Sequence, residues 1–276
     1  MIELPEDTFD AHLIACATEG SDSFVASVRP ISGGRERDGL PEHVGTCILL
    51  HVEGHRILAT AAHIVDQFAQ RGSLFVGGPL GASPVPLPRQ IKATTAPGGN
   101  RRADHYDLAF CEVPESALPA MGKVEFLSSD RFSQNRTTTA GRQYTALGYA
   151  ISRNEDAFDH LARTITHRRS IYTASVDPMP KLAQKLGVTG EDHLFLRYSK
   201  YARDTAGRKM NAINPEGFSG GALLDLGDFS SPTILTRAPG ASARLSGMLI
   251  EYHRHYSAIV AVRIGPIVEA IRSALR

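Results

Sequence analysis

The segment Gly217-Phe218-Ser219-Gly220-Gly221, followed by the apolar run Ala222-Leu223-Leu224, has the makeup of a turn that presents a nucleophile. A serine hydroxyl that attacks a carbonyl must stand exposed on a tight turn. Glycines on either side permit unusual backbone angles and close approach of a substrate. The same turn is able to aim the N–H groups of Gly217 and Ser219 at one point, forming an oxyanion hole in which each donor is worth ~3 kcal/mol in the transition state. Taken alone, the string also describes an ordinary glycine-rich β-turn. Leu58-Ala59-Thr60-Ala61-Ala62-His63 places a histidine at the end of an apolar strand, where an imidazole held in one place serves as general base near neutral pH. A lone histidine there is equally a structural residue. Asp107-Leu108-Ala109-Phe110 puts an acid at the opening of another apolar strand, suited to accept the second imidazole N–H and fix its tautomer. Asp104, three residues earlier, is a rival for that role.

The elements that must carry these residues read mainly as short strands. Residues 24–31, 44–52, 56–61, 107–113, 143–149, 170–176, 193–198, 221–226, 245–252 and 258–262 are rich in Val, Ile, Leu and Thr, and Gly, Pro, Asn or Asp clusters separate most of them. Many short strands of this kind predict an all-β sandwich or barrels. One helix is expected at the end of the chain, where Gly265-Pro266 precedes Ile267, Val268, Ile271, Ala274 and Leu275 at helical spacing. Weaker helical turns are read at 179–186 and after His63. Segments 77–100 and 152–169 read as loops, the first holding five of the 16 prolines. A division into 1–125 and 126–276 leaves two halves of similar strand content.

Taken together, the three blocks resemble the trypsin/chymotrypsin superfamily of serine proteases: Thr60-Ala61-Ala62-His63 its histidine block, Asp107-Leu108-Ala109-Phe110 its aspartate block, and Gly217-Phe218-Ser219-Gly220-Gly221 its serine block, in that chain order. The stretch Ala212-Ile213-Asn214-Pro215-Glu216-Gly217-Phe218-Ser219-Gly220-Gly221-Ala222-Leu223 is similar to the serine block of the Deg/HtrA-like branch, with one extra residue before the serine. Residues 247–250 and 258–262 are similar to that branch's closing strands. The resemblance implies two six-stranded Greek-key β-barrels of the chymotrypsin type with a C-terminal helix. His63 and Asp107 would come from the first barrel and Ser219 from the second, which would also carry an insertion around 150–209. It implies a trypsin-like endopeptidase working through an acyl-enzyme on Ser219, with the N–H groups of Gly217 and Ser219 as the oxyanion hole and neither metal nor cofactor. The substrate pocket would be lined by Ile213 on one side and by Ile250, Glu251 and Tyr252 on the other. No Asp falls at the pocket base, which predicts a small or medium apolar residue before the cleaved bond, with Glu216 or Glu251 as the acids that would restore a preference for Lys or Arg. Phe218 stands where secreted trypsin-like enzymes carry an Asp that pairs with a freshly cut N-terminus. Activation by such trimming is therefore not expected, nor is a PDZ-like extension after the catalytic unit.

Composition sets the remaining bounds. Thirty Lys and Arg against 29 Asp and Glu give no reason to expect nucleic acid or an anionic membrane as partner. Proteins or peptides recognised by shape are expected instead, together with a regulatory protein partner for an enzyme that rests in a latent state. Three cysteines, Cys16, Cys47 and Cys111, do not make a disulfide framework. The N-terminus starts acidic, with its apolar pieces interrupted by charges, unlike a signal peptide. A cytoplasmic location is the expectation.

Overall fold

The computed structural model describes residues 6–34, 40–68, 74–77, 84–88, 90–135, 139–155, 157–159, 164–204 and 208–276. Parts of the expected loops 77–100 and 152–169, and of the segment 150–209, lie outside them. The first sheet is antiparallel and built from β1 (Val28–Gly34), β2 (Pro41–Val52), β3 (His55–Ala61), β4 (Leu74–Val76), β5 (Val85–Pro86), β6 (Lys92–Ala93) and β7 (Leu108–Glu112), in the spatial order β5-β4-β1-β2-β3-β7-β6. It counts seven strands where six are expected. The proline-rich stretch read as a loop supplies β5 and β6, each of two residues, and in β5 the proline takes the second position of an edge strand, where a missing N–H costs the ladder nothing.

The second sheet takes up β8 (Arg142–Gly148), β11 (Ser170–Ala174), β12 (His193–Arg197), β15 (Ala222–Asp228), β16 (Arg244–His253) and β17 (Ala258–Arg263), in the order β11-β8-β15-β16-β17-β12. Between them lie two small hairpins, β9 (Phe158–Asp159) with β10 (Thr164–Ile165) and β13 (Tyr201–Arg203) with β14 (Lys209–Asn211). Segment 150–209 thus contributes two full strands, β11 and β12, to the sheet itself. Both sheets curl as antiparallel half-barrels, and the molecule closes with a C-terminal helix.

Among the described residues five α-helices decorate the sheets: α1 (Glu6–Asp22), α2 (Ala62–Phe68), α3 (Leu118–Met121), α4 (Pro180–Leu186) and α5 (Ile264–Leu275). α1 comes from the first half of the chain but packs on β8, β11 and β15 of the second sheet. α5 has Pro266 in its first turn, where a missing N–H costs nothing, and packs on β16 and β17 of the second sheet and on β2 of the first.

Alternation along the strands explains where the core sits. In β2 the side chains of Ile48, Leu50 and Val52 join one cluster, which spans both sheets and takes in α5 through Ile267 and Ile271. Cys47 and Leu49 face the other way, into a second cluster confined to the first sheet with Ile31, Leu58 and Ile64. In β15 the same alternation sends Leu224 and Leu226 into the shared cluster and Leu223 into a third, with Tyr144, Leu194 and Phe218. Both faces of the central strands are therefore buried. Each fully covered Leu or Ile stabilises the fold by about 1.5–3 kcal/mol.

Candidate active site

His63 is the second residue of α2, directly after β3, whose last five residues Ile57–Ala61 are buried. The strand fixes the backbone and leaves the imidazole, 30% exposed, at the rim of the core. Asp107, immediately before β7, meets it. Its Oδ1 accepts the His63 backbone N–H at 2.9 Å, its Oδ2 accepts the Nδ1–H of the ring at 2.5 Å, and its own carbonyl accepts the Ala62 N–H at 2.7 Å. Three bonds hold Asp107 with φ at +43°, in the left-handed region that non-glycine residues seldom occupy. Placing the proton on Nδ1 leaves Nε2 with its lone pair free to take a proton. Asp104, the rival, is committed elsewhere. Its Oδ2 accepts the Arg101 Nη1–H at 2.5 Å and also a bond from Thr94 Oγ1, and its Oδ1 accepts the Tyr106 N–H at 3.2 Å.

Ser219 sits on a turn just before β15. The Phe218 N–H donates to Pro215 O at 2.9 Å and the Gly221 N–H donates to Phe218 O at 2.7 Å, folding the chain twice between Pro215 and Gly221. Glycine is obligatory at two points. Gly217 has φ at +92° and a Cβ there would fall 2.5 Å from Tyr149 O; Gly220 has φ at +80° and a Cβ would fall 1.9 Å from Thr46 O. Among the described residues no acceptor engages the N–H of Gly217 or of Ser219. The Ser219 hydroxyl donates to Ile250 O at 3.2 Å. That carbonyl is available because the register of β16 against β17 slips between Leu249 and Glu251, leaving Ile250 as the extra residue of a bulge.

His63, Asp107 and Ser219 open together onto a cleft of about 540 Å³ between the two sheets. Ile250, Glu251, Tyr252, Glu216 and Gly217 also line it.

No family model and no curated protein sequence matches the chain. Solved structures do. A serine endoprotease from Yersinia pestis superposes with a TM-score of 0.51 at 11% identity, covering 98% of this chain and 67% of that one. A Glu endopeptidase, solved in complex with MPD, superposes with a TM-score of 0.51 at 15% identity, covering 91% of this chain and 90% of that one. The fold is the chymotrypsin-type double barrel.

Within this double barrel the expected substrate wall is only partly in place. Ile250, Glu251 and Tyr252 line the cleft. Ile213 is not among the lining residues. It packs instead against the third core cluster, and its carbonyl accepts the Tyr198 hydroxyl at 2.9 Å. Pro215 and Glu216 line the cleft on that side. Glu251 is half-exposed and lies 2.8 Å from His253 Nε2. Sequence reasoning passed over the opposite rim. Arg101-Arg102 reads as a solvated basic pair, yet the Arg101 side chain is only 19% exposed. It bridges Asp66 at 2.7 Å and Asp104 at 2.5 Å, which joins α2 to the loop that carries Asp107. The acid at Asp66, in the turn after His63, is the only sequence signal for that bridge.

Proposed function

We propose that the protein is a serine endopeptidase that hydrolyses peptide bonds in protein or peptide substrates through an acyl-enzyme on Ser219. The observation that supports this best is the pairing of His63 Nδ1 with a buried Asp107 in the same cleft as Ser219, whose turn leaves two neighbouring N–H groups free. In this scheme His63 Nε2 takes the hydroxyl proton as Ser219 Oγ attacks the substrate carbonyl. Asp107 stabilises the imidazolium, and the N–H groups of Gly217 and Ser219 receive the oxyanion. His63 then protonates the leaving amine, and water hydrolyses the ester.

The bond from Ser219 Oγ to Ile250 O bears on latency. The hydroxyl must leave that carbonyl and turn to His63 before it reacts. A substrate strand lying along the bulge offers its own N–H to Ile250 O and releases the hydroxyl. In this proposal the resting enzyme is latent until a substrate or a regulatory protein partner arrives. The same bond favours one second reading, a catalytically silent module that only binds its partner. Three buried free thiols accord with a reducing compartment, and the proposal places the enzyme in the cytoplasm. Incubation with unfolded casein and with a peptide library tests the assignment. Cleavage that Ser219→Ala and His63→Ala each abolish, mainly after small or medium apolar residues, is expected. Binding of casein without cleavage would establish the silent module.

A further inference from the structure

The turn that would bind the oxyanion belongs to the second sheet, yet half of what holds its peptide planes comes from the first. Four consecutive peptide units run from Glu216 to Gly220, and each carbonyl has a partner. Glu216 O accepts the Ile151 N–H at 2.8 Å and Phe218 O accepts the Gly221 N–H at 2.7 Å. Gly217 O accepts the Thr46 hydroxyl at 2.8 Å, and Ser219 O accepts the Thr46 backbone N–H at 2.9 Å. Thr46 thus supplies two of the four anchors, alternating with the other two, from β2 across the interface between the sheets. Peptide planes are rigid, so fixing each C=O fixes the N–H of the next residue on the opposite side. The two planes that Thr46 holds turn the Phe218 and Gly220 N–H groups toward Pro215 O and Leu249 O, and the two planes between them, held by the Ile151 and Gly221 N–H groups, leave the N–H groups of Gly217 and Ser219 free on the other side.

Thr46 is itself over-determined. Its side chain is fully buried. Its Oγ1 donates to Gly217 O and accepts the Tyr149 N–H at 3.1 Å, so the hydroxyl proton has one direction to point. Its carbonyl accepts the Thr60 hydroxyl at 2.7 Å, one strand closer to His63. Through Tyr149 the same hydroxyl also steadies the segment whose Ile151 N–H holds Glu216 O, and that segment is held in turn by His43 Nε2 donating to Tyr149 O at 2.7 Å.

We propose that Thr46 is a positioning residue for the oxyanion hole: its hydroxyl, acting from the first sheet, holds the Gly217–Ser219 turn in the orientation that leaves both N–H groups aimed at the substrate carbonyl. This rests on the serine endopeptidase assignment. A misplacement of about 1 Å in such donors costs on the order of a hundredfold in rate. Because a correctly aimed pair acts on the transition state and not on the bound substrate, the effect falls on kcat and leaves KM alone.

The test compares Thr46→Val, which keeps the shape and the backbone N–H but removes the hydroxyl, with Thr46→Ser, which keeps the hydroxyl. A cleaved peptide gives kcat and KM, and a peptidyl boronic acid, which forms a tetrahedral anion on the serine, gives an inhibition constant. Expected for T46V is a loss of about tenfold to a hundredfold in kcat with KM within about twofold, a parallel loss in boronic acid affinity, and recovery by T46S to near wild type. Should T46V fail to fold, Thr46→Ala gives the same comparison against T46S. A hydroxyl-less variant that folds and turns over at the wild-type kcat overturns the proposal. So does a loss confined to KM or melting temperature, or one that T46S does not rescue. Failure of the underlying assignment looks different: the wild-type protein itself neither cleaves peptide nor binds the boronic acid, and the role of Thr46 falls with it.

Discussion

At the residue scale, the site depends on a carboxylate that does several things in one place. Asp107 accepts two bonds from His63 while its backbone sits in the left-handed region and its carbonyl ties down Ala62. Asp107→Asn keeps the shape but presents an amide to Nδ1. The imidazole then carries its proton on Nε2, where Ser219 needs a base. The variant is expected to stay folded and lose about 10⁴-fold in kcat; a rate within tenfold of wild type on a chromogenic peptide would remove Asp107 from the mechanism. The three residues proposed to carry the chemistry stood out in the sequence because each is embedded in a local string: an apolar strand ending in His63, Asp107 as the acid that opens the next, glycines around Ser219. Sequence left Asp104 and Asp107 as rivals, since choosing between them requires knowing that Arg101 neutralises Asp104. Thr46 was illegible for the same reason. Its partners lie 171 positions away, and nothing in Gly45-Thr46-Cys47 announces a bond to Gly217.

At the element scale, strands were legible and helix α1 was not. All ten strand-like runs overlap an observed strand, because each is a burst of apolar β-branched or aliphatic residues between turn formers. α1 mixes acids with apolar residues around its circumference, so helical periodicity does not show in its sequence; its burial comes from Cys16 and Ala17 packing on the second sheet. α5 is the opposite case. Its apolar residues fall on one face, and Ile264, Ile267, Val268 and Ile271 are all buried. Because α5 touches strands of both sheets, Ile271→Ala is expected to cost about 2–5 kcal/mol in urea unfolding. It should lower both sheets in one transition, monitored by far-ultraviolet dichroism and tyrosine fluorescence together. Two separated transitions with only one displaced would mean that α5 serves a single sheet. The strands β5 and β6 and those of the two hairpins escaped sequence reading because two or three residues carry no period. Ile213 was expected at the cleft wall but packs against the third core cluster, since a count along a motif does not show which way a turn sends its side chains.

At the scale of the whole molecule, the interface between the sheets carries buried polar groups as well as apolar ones. Burial pushes the His43 imidazole down to about 4 from an ordinary value of 6.5. Burial, and then the neighbouring His43, pushes His167 down to about 3. The two rings lie 5.2 Å apart, with Tyr149 against both and Ser32 Oγ 3.3 Å from His167 Nε2. Both histidines are neutral in the folded protein at neutral pH. Below pH 6.5 the unfolded chain takes up protons that the folded one refuses, so stability falls as pH drops from about 6.5 toward 4 and levels off below about 3. At about 1.4 kcal/mol per pH unit for each ring, unfolding at pH 5 is expected to lie about 2–4 kcal/mol below that at pH 7.5. The double variant His43→Gln, His167→Gln should flatten much of that slope in urea melts at the two pH values. A wild-type stability that does not change between them would mean the rings are solvated. Near-equal acid and base counts keep the net charge of the chain at +1.

The central claim is that Ser219 is the nucleophile of the cleft and His63 its base, and the most direct measurement is covalent labelling. The purified protein is treated with a fluorophosphonate probe, alone and with unfolded casein present, and the modified peptide is mapped by mass spectrometry beside Ser219→Ala and His63→Ala. The account predicts a single adduct on Ser219 that both substitutions abolish, with faster labelling when casein is present, as expected if substrate releases the hydroxyl from Ile250. A folded wild-type protein that stays unlabelled under both conditions, or carries the adduct on another residue, would contradict it.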